Sequence, residues 1–202
     1  MGIIKSAIEI ALERTQGVEA DKEALEASRF ITEGKKAVSR FLAEDGVDLK
    51  AQLAAYQGKE AGWVREGVFQ ALSANVRLPF DEMALLGAKK AGKGFQALAS
   101  DPKKLARLST QMEQFLEDYL TERRRLVEAV EKKYAPILRQ KEEEMGRQMG
   151  QRVRLDPAMD PQFQKLLRDN LAMLEERYTE VLEQVRQELR KLCGSEATAV
   201  AQ

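Results

Sequence analysis

The residues whose types and spacing could do chemistry fall in three places. The first is the run Gly87, Ala88, Lys89, Lys90, Ala91, Gly92, Lys93, Gly94. Glycine, four residues, glycine and lysine are the opening positions of a loop whose backbone amides cradle phosphate. The next position needs a hydroxyl to hold magnesium, and here it is Gly94. Such a loop follows a buried strand, whereas Asp81 to Leu86 reads as helix. No acidic residue closes an apolar strand to supply a second metal contact. A nucleotide- or phosphate-dependent enzyme is therefore the least favoured reading. A weaker anion site is kept as an expectation, with Lys89, Lys90, Gly92 and Lys93 around a mobile glycine turn. The competing reading is a solvated helix end whose lysines favour the carbonyl terminus.

The second place gathers Arg147, Arg152 and Arg154 with Met145, Met149 and Met159. Guanidinium forks match carboxylate and phosphate, and methionine makes adaptable apolar surface. These six residues are the candidate interaction surface, for a protein partner first and RNA phosphates second. Against it stands the reading in which the methionines fill their own hairpin end and the arginines pair with Glu142 to Glu144. The third place is Arg123, Arg124 and Arg125. Consecutive helix residues fan out over about 300°, so they form no single patch. A pairing such as Arg124 with Glu128 is expected, on a solvated face. Glu142 to Glu144 and Glu175 to Glu176 occupy surface positions, with nothing nearby to raise a carboxylate pKa.

Composition narrows the chemistry further. With 0 histidines the chain lacks the commonest general base and transition-metal ligand. Its 1 cysteine, Cys193, allows neither an internal disulfide nor a cysteine cage, and is expected as an exposed thiol at a helix end. No catalytic residue, cofactor or metal site is assigned. The 33 basic and 33 acidic residues cancel, so no net field recruits nucleic acid. Lys5, Glu9 and Glu13 interrupt the apolar start that a signal peptide needs, and no apolar run approaches the roughly 18 residues that span a bilayer. A cytoplasmic protein without membrane insertion is expected.

The elements that must position these groups all read as helices. Leu105, Leu108, Met112, Phe115, Tyr119, Leu126, Val130, Tyr134, Ile137 and Leu138 recur at threes and fours, and so do Phe163, Leu167, Leu171, Leu174, Tyr178, Val181, Val185, Leu189 and Leu192. Between the two stripes lies Arg154 to Pro161, with two prolines. The result is a long antiparallel hairpin over 102–193 with its turn near 152–161. Setting Phe163 opposite Met149 brings Leu192 to Leu120 and leaves Leu105 to Tyr119 to pack on the N-terminal helices. A stalk about 45 Å long then protrudes, at about 1.5 Å per residue. Pro136 predicts a kink.

Residues 1–101 read as a helical region of several helices. Ile3, Ile4, Ala7, Ile8, Ala11 and Leu12 share one face of a first helix that stops near Gly17. Asp21 caps a second, in which Gly34 predicts a bend or a close crossing. Asp48 starts a third through about Gln57. Trp63, Val64, Val68, Phe69 and Leu72 cluster, Asp81 caps the next helix, and Asp101 with Pro102 opens the long one. Strand patterns are missing. The tail 194–202 is expected to be flexible.

The pattern resembles all-helical bacterial proteins, without pointing to a named family. The fold class is all-α: a helical body plus a long, coiled-coil-like antiparallel hairpin at the C-terminus. The first functional reading is a non-enzymatic adaptor or assembly protein engaging a partner through that hairpin, which could also pair two copies as a homodimer. The second is an RNA- or ribosome-associated factor.

Overall fold

The structure, a computed structural model, describes residues 7–194, with side chains from Asp21 onward. Ile3, Ile4 and the tail from Ser195 lie outside the described residues. Among the described residues are six α-helices, two short 3-10 turns and no strand, so the fold is all-α. The helices are α1 (Ala7–Ala43), α2 (Leu49–Leu53), α3 (Gly58–Asn75), α4 (Glu82–Gly94), α5 (Pro102–Met149) and α6 (Pro161–Cys193).

Aspartates begin four of them. Asp48, Asp81, Asp101 and Asp160 each adopt an extended backbone and accept from amides of the first turn of α2, α4, α5 and α6, satisfying donors that have no partner inside the helix. Two expectations fail at the start of the chain. Helix α1 runs unbroken through Gly17, and Asp21 is interior to it rather than a cap. One glycine costs a helix about 1 kcal/mol, which 37 residues of continuous helix absorb, and no proline forbids continuation. Helix α2 is also shorter than expected, ending at Leu53.

Helices α1 and α3 lie side by side, and glycine sets their separation. A Cβ on Gly34 would stand 2.2 Å from the Val64 carbonyl oxygen, and one on Gly67 would stand 2.1 Å from that of Ile31. Backbone meets backbone, as the close-crossing reading of Gly34 requires. Phe30 stacks on Trp63 with ring centroids 6.1 Å apart, beside the crossing. The body's core then assembles from Val38, Val68, Leu72, Phe95, Leu105, Met112, Leu116 and Leu189, among others.

Helix α6 returns antiparallel to α5, in a different register from that expected. Leu192 lies against Ser100, not Leu120: its carbonyl accepts from the Ser100 amide at 3.0 Å. Phe115 faces Tyr178 at 4.9 Å, so Leu105 to Tyr119 does not lie beyond the reach of α6. The cause is the connection. Gly150, at φ 67°, ends α5 in the left-handed region, which favours glycine. The chain then doubles back beside α5, and the Leu155 amide reaches Glu142 at 2.9 Å. Helix α6 therefore starts level with Tyr134 and Lys141 rather than Met149.

Arg123 and Arg124 still reach Phe80 and Glu82 of the body. Beyond them Val130, Tyr134 and Phe163 form a second, separate cluster with Leu126, Leu138, Leu166 and Leu167. From Arg125 to Met149 the stalk measures about 40 Å at about 1.5 Å per residue. Pro136 sits inside α5, which continues through it as one helix. Cys193 corrects another expectation, being only 2% exposed where α6 meets the body. Burial pushes its thiol up to about 11, although Arg65 nearby pulls the other way.

The glycine contacts make a paired prediction. Gly34→Ala should destabilise the protein by about 1–3 kcal/mol, because backbone must move to admit the methyl group. Gly62→Ala, on the same helix pair but with nothing within 4 Å, should instead stabilise by up to about 1 kcal/mol. Urea denaturation of the two variants checks the opposite signs.

Candidate functional site

The lysine–glycine stretch is helical, not a mobile turn. Gly87 to Gly94 form the second half of α4, which runs directly into the turn Phe95–Leu98. Gly92 is buried against α5: a Cβ there would stand 2.6 Å from the Met112 methyl carbon. Gly94 meets Leu72 at the same distance of 2.6 Å. Gly92 and Gly94 admit neighbouring side chains, whereas a Cβ on Gly87 would meet nothing within 4 Å.

The lysines are also drawn apart. Lys89 bonds Glu117 of α5, which raises its pKa, while Lys90 reaches Asp45 at 2.8 Å and the Glu44 carbonyl at 3.2 Å beyond the end of α1. Lys93 is exposed in the last turn of α4. The candidate anion residues therefore face three directions. Arg124 likewise pairs with Glu82 at 2.7 Å rather than with Glu128.

The hairpin end brings Arg147, Arg152 and Arg154 together around one groove, whose lining includes none of Met145, Met149 and Met159. The return segment after Gly150 lies close against α5, where a Cβ on Gly146 would stand 3.1 Å from the Gln151 carbonyl oxygen. Between helix and segment runs an open groove of about 690 Å³, lined among others by Arg139, Glu142, Glu143, Arg147, Arg152 and Arg154. Glu142 is engaged by the Leu155 amide, and Glu143 stands 3.9 Å from Arg147. Among the described residues Arg139, Arg152 and Arg154 form no ion pair. Met149 is 61% exposed and Met159 78%, so neither fills the hairpin's own end. Met145 is exposed to a lesser degree.

A polar cluster holds this end in place. Lys141 donates to Asp160 at 2.6 Å, to the Tyr134 hydroxyl at 3.0 Å and to Gln162 at 3.0 Å. Tyr134 donates to the same Asp160 carboxylate at 2.9 Å. The Lys141 hydrogen bond is the leading cause that lowers Asp160 to about 2, and the same bond raises Lys141. Asp160 also caps α6. One carboxylate thus fixes where α6 begins and which turn of α5 it faces.

Sequence reasoning missed Arg139 and this cluster. Arg139, Glu143, Gly146, Arg147 and Gly150 recur at threes and fours along α5, and that spacing carried the signal for Arg139. Lys141 and Asp160 meet only because the return segment doubles back. Missed as well is an apolar patch on α4 and the residues before it, where Phe80, Met83 and Leu86 are exposed.

No helix among the described residues is long and apolar enough to cross a membrane, and no group of three His, Cys, Asp or Glu among them could hold a metal ion. The molecule is thus an all-helical body that projects a two-helix stalk. A model for a family of unknown function, DUF6657, matches residues 50–191. The chain belongs to that family. The matched region takes in the hairpin, α3, α4 and most of α2, and leaves α1 outside. No curated protein and no solved structure matches the chain.

The Asp160 cluster predicts a pH dependence. Its carboxylate is held below the ordinary 3.8, so its contribution is complete above about pH 4 and is lost as pH falls toward about 2. Asp160→Asn keeps a capping oxygen but removes the charge. Amide exchange in the first turns of α6 should be faster in this variant at neutral pH, with the difference from wild type closing between about pH 4 and about 2. A difference unchanged at the acid end would show that the ionised carboxylate does not hold the turn.

Proposed function

We propose that this protein is a helical adaptor that engages a protein partner through the end of its hairpin. One observation carries the reading: Arg152 and Arg154, which form no ion pair among the described residues, share a hairpin end with exposed Met149 and Met159, about 40 Å out along a two-helix stalk. Exposed methionine with arginine suits an adaptable interface, since the thioether repacks and the guanidinium fork supplies direction. A stalk also separates the contact surface from the body, so that a partner can be held without touching α1 to α4.

The ionisable groups support a binding role more than a catalytic one. Among the shifted groups, Lys89, Glu122, Lys141, Asp160 and Tyr178 are each bonded to a neighbour on another element, and Cys193 is shifted by burial. Functional carboxylates and lysines are usually poised in a cleft instead.

Affinity purification from native lysate tests the proposal. Wild type is compared with Met149→Glu/Arg152→Glu/Arg154→Glu and with Lys103→Glu/Arg107→Glu, an equally exposed pair at the far end of α5. A partner retained by wild type and the far-end variant, and lost by the folded tip variant, is the expected outcome. An unchanged set of partners would remove the tip from consideration. Light scattering on the same samples reports whether a second copy of the chain is the partner.

A further inference from the structure

We infer that the groove at the hairpin end binds an acidic peptide segment that also carries apolar side chains; the inference rests on the tip being the interaction surface. Four guanidiniums and two carboxylates line the groove. One carboxylate, that of Glu142, is taken by the Leu155 amide at 2.9 Å. The other, Glu143, is 3.9 Å from Arg147, and among the described residues Arg139, Arg152 and Arg154 form no ion pair. Along the lining, guanidiniums thus outnumber carboxylates four to two, within a hairpin end (residues 139–160) whose five basic and five acidic side chains otherwise balance. Carboxylates of a partner would take up those donors, and bidentate pairing with arginine would add direction.

The apolar half of the ligand follows from exposed Met149 and Met159, which flank the return segment 150–158 in the chain and lie outside the groove lining itself. A purely acidic chain would leave both thioethers in water, whereas leucine-like side chains would cover them. Polynucleotide fits less well. The groove lining contains no aromatic ring on which a base could stack. A second copy docked tip to body also fits less well: beside its exposed Phe80 and Met83, the Glu82 carboxylate is already paired with Arg124 at 2.7 Å.

Fluorescence anisotropy on the full chain tests the inference with three probes: a short labelled peptide of glutamate and leucine, its glutamine–leucine counterpart, and an oligouridylate of the same net charge as the first. Variants are Arg152→Gln/Arg154→Gln, Arg139→Gln and, as a far-end control, Arg107→Gln, each checked for its fold by circular dichroism. The acidic peptide should bind, weaken with added salt, and lose about tenfold in affinity in the double variant, the scale of one or two charge-assisted hydrogen bonds. Arg139→Gln should weaken it less, and Arg107→Gln should leave it unchanged. The glutamine peptide should not bind.

Three results would overturn the inference: no binding of the acidic peptide at low salt, equal binding by the double variant, or tighter binding of oligouridylate that the double variant loses. Its fate is separable from that of the adaptor reading. If the tip variant loses a protein partner in lysate while the acidic peptide fails to bind, the adaptor stands and this inference falls. If the peptide binds through Arg152 and Arg154 and no lysate partner depends on the tip, the reverse holds.

Discussion

The structure depends on where the last helix is tied down. Helix α6 leaves the stalk and travels its 33 residues back to the body, where its final carbonyls are captured. Ser100 donates to Leu192 through both its amide and its hydroxyl, and the Arg65 guanidinium donates to Cys193 at 3.3 Å and Leu98 at 2.8 Å. These are groups that a helix end leaves unpaired, and a cation there also meets the negative end of the helix dipole. Arg190 adds a third tie, with its guanidinium 4.8 Å from the Phe69 ring centre. Once Leu192 is fixed beside Ser100, every residue of α6 has its place along α5. The Asp160 cluster fixes the other end, and the stalk between them has no freedom to slip by a turn.

Body and stalk are held by different means. In the body, glycines bring backbone against backbone at α1 and α3, and side chain against helix at Gly92 and Gly94. A buried leucine or phenylalanine contributes about 1.5–3 kcal/mol there, and many take part. The stalk's own cluster has three buried residues, Val130, Tyr134 and Phe163. Its pairs across the helices, such as Glu122 with Arg177 at 2.7 Å, are half exposed and contribute about 0–1 kcal/mol each. Local stability therefore falls along the stalk toward the tip, and segments that must adapt to a partner are drawn from such low-stability regions.

The difference explains what could be read from the chain and what could not. The all-helical class, the caps at Asp48, Asp81 and Asp101, and the break between the last two helices were legible because each rests on residues close in sequence: spacing by threes and fours, an aspartate before an apolar run, and a proline-bounded break. The close crossing at Gly34 was legible for the same reason. The register of α5 on α6 was not. It assumed a tight turn at Met149, whereas Gly150 sends the chain back along α5 before α6 starts. Nothing in the apolar stripes records that, since a stripe repeating every three or four residues packs almost equally well after a slide of seven. Cys193 was misjudged in turn. A residue at the end of a helix reads as exposed until the helix is known to end inside the body.

The same slide decides how the candidate site is built. With Phe163 opposite Met149, the arginines of the turn would have been spread around a tight loop with no groove beside them. Doubling back instead lays residues 151–154 along the last turns of α5, which sets Arg152 and Arg154 opposite Arg139 and Arg147 across an open groove. Two carboxylates of this end are tied to the turn itself: Glu142 accepts from the Leu155 amide and Asp160 from Lys141. Geometry that secures the hairpin end thus leaves Arg139, Arg152 and Arg154 without an ion pair among the described residues. Residues 139–160 carry five basic and five acidic side chains, so the fold creates at the tip not a net charge but an uneven distribution, with four guanidiniums against two carboxylates along the groove.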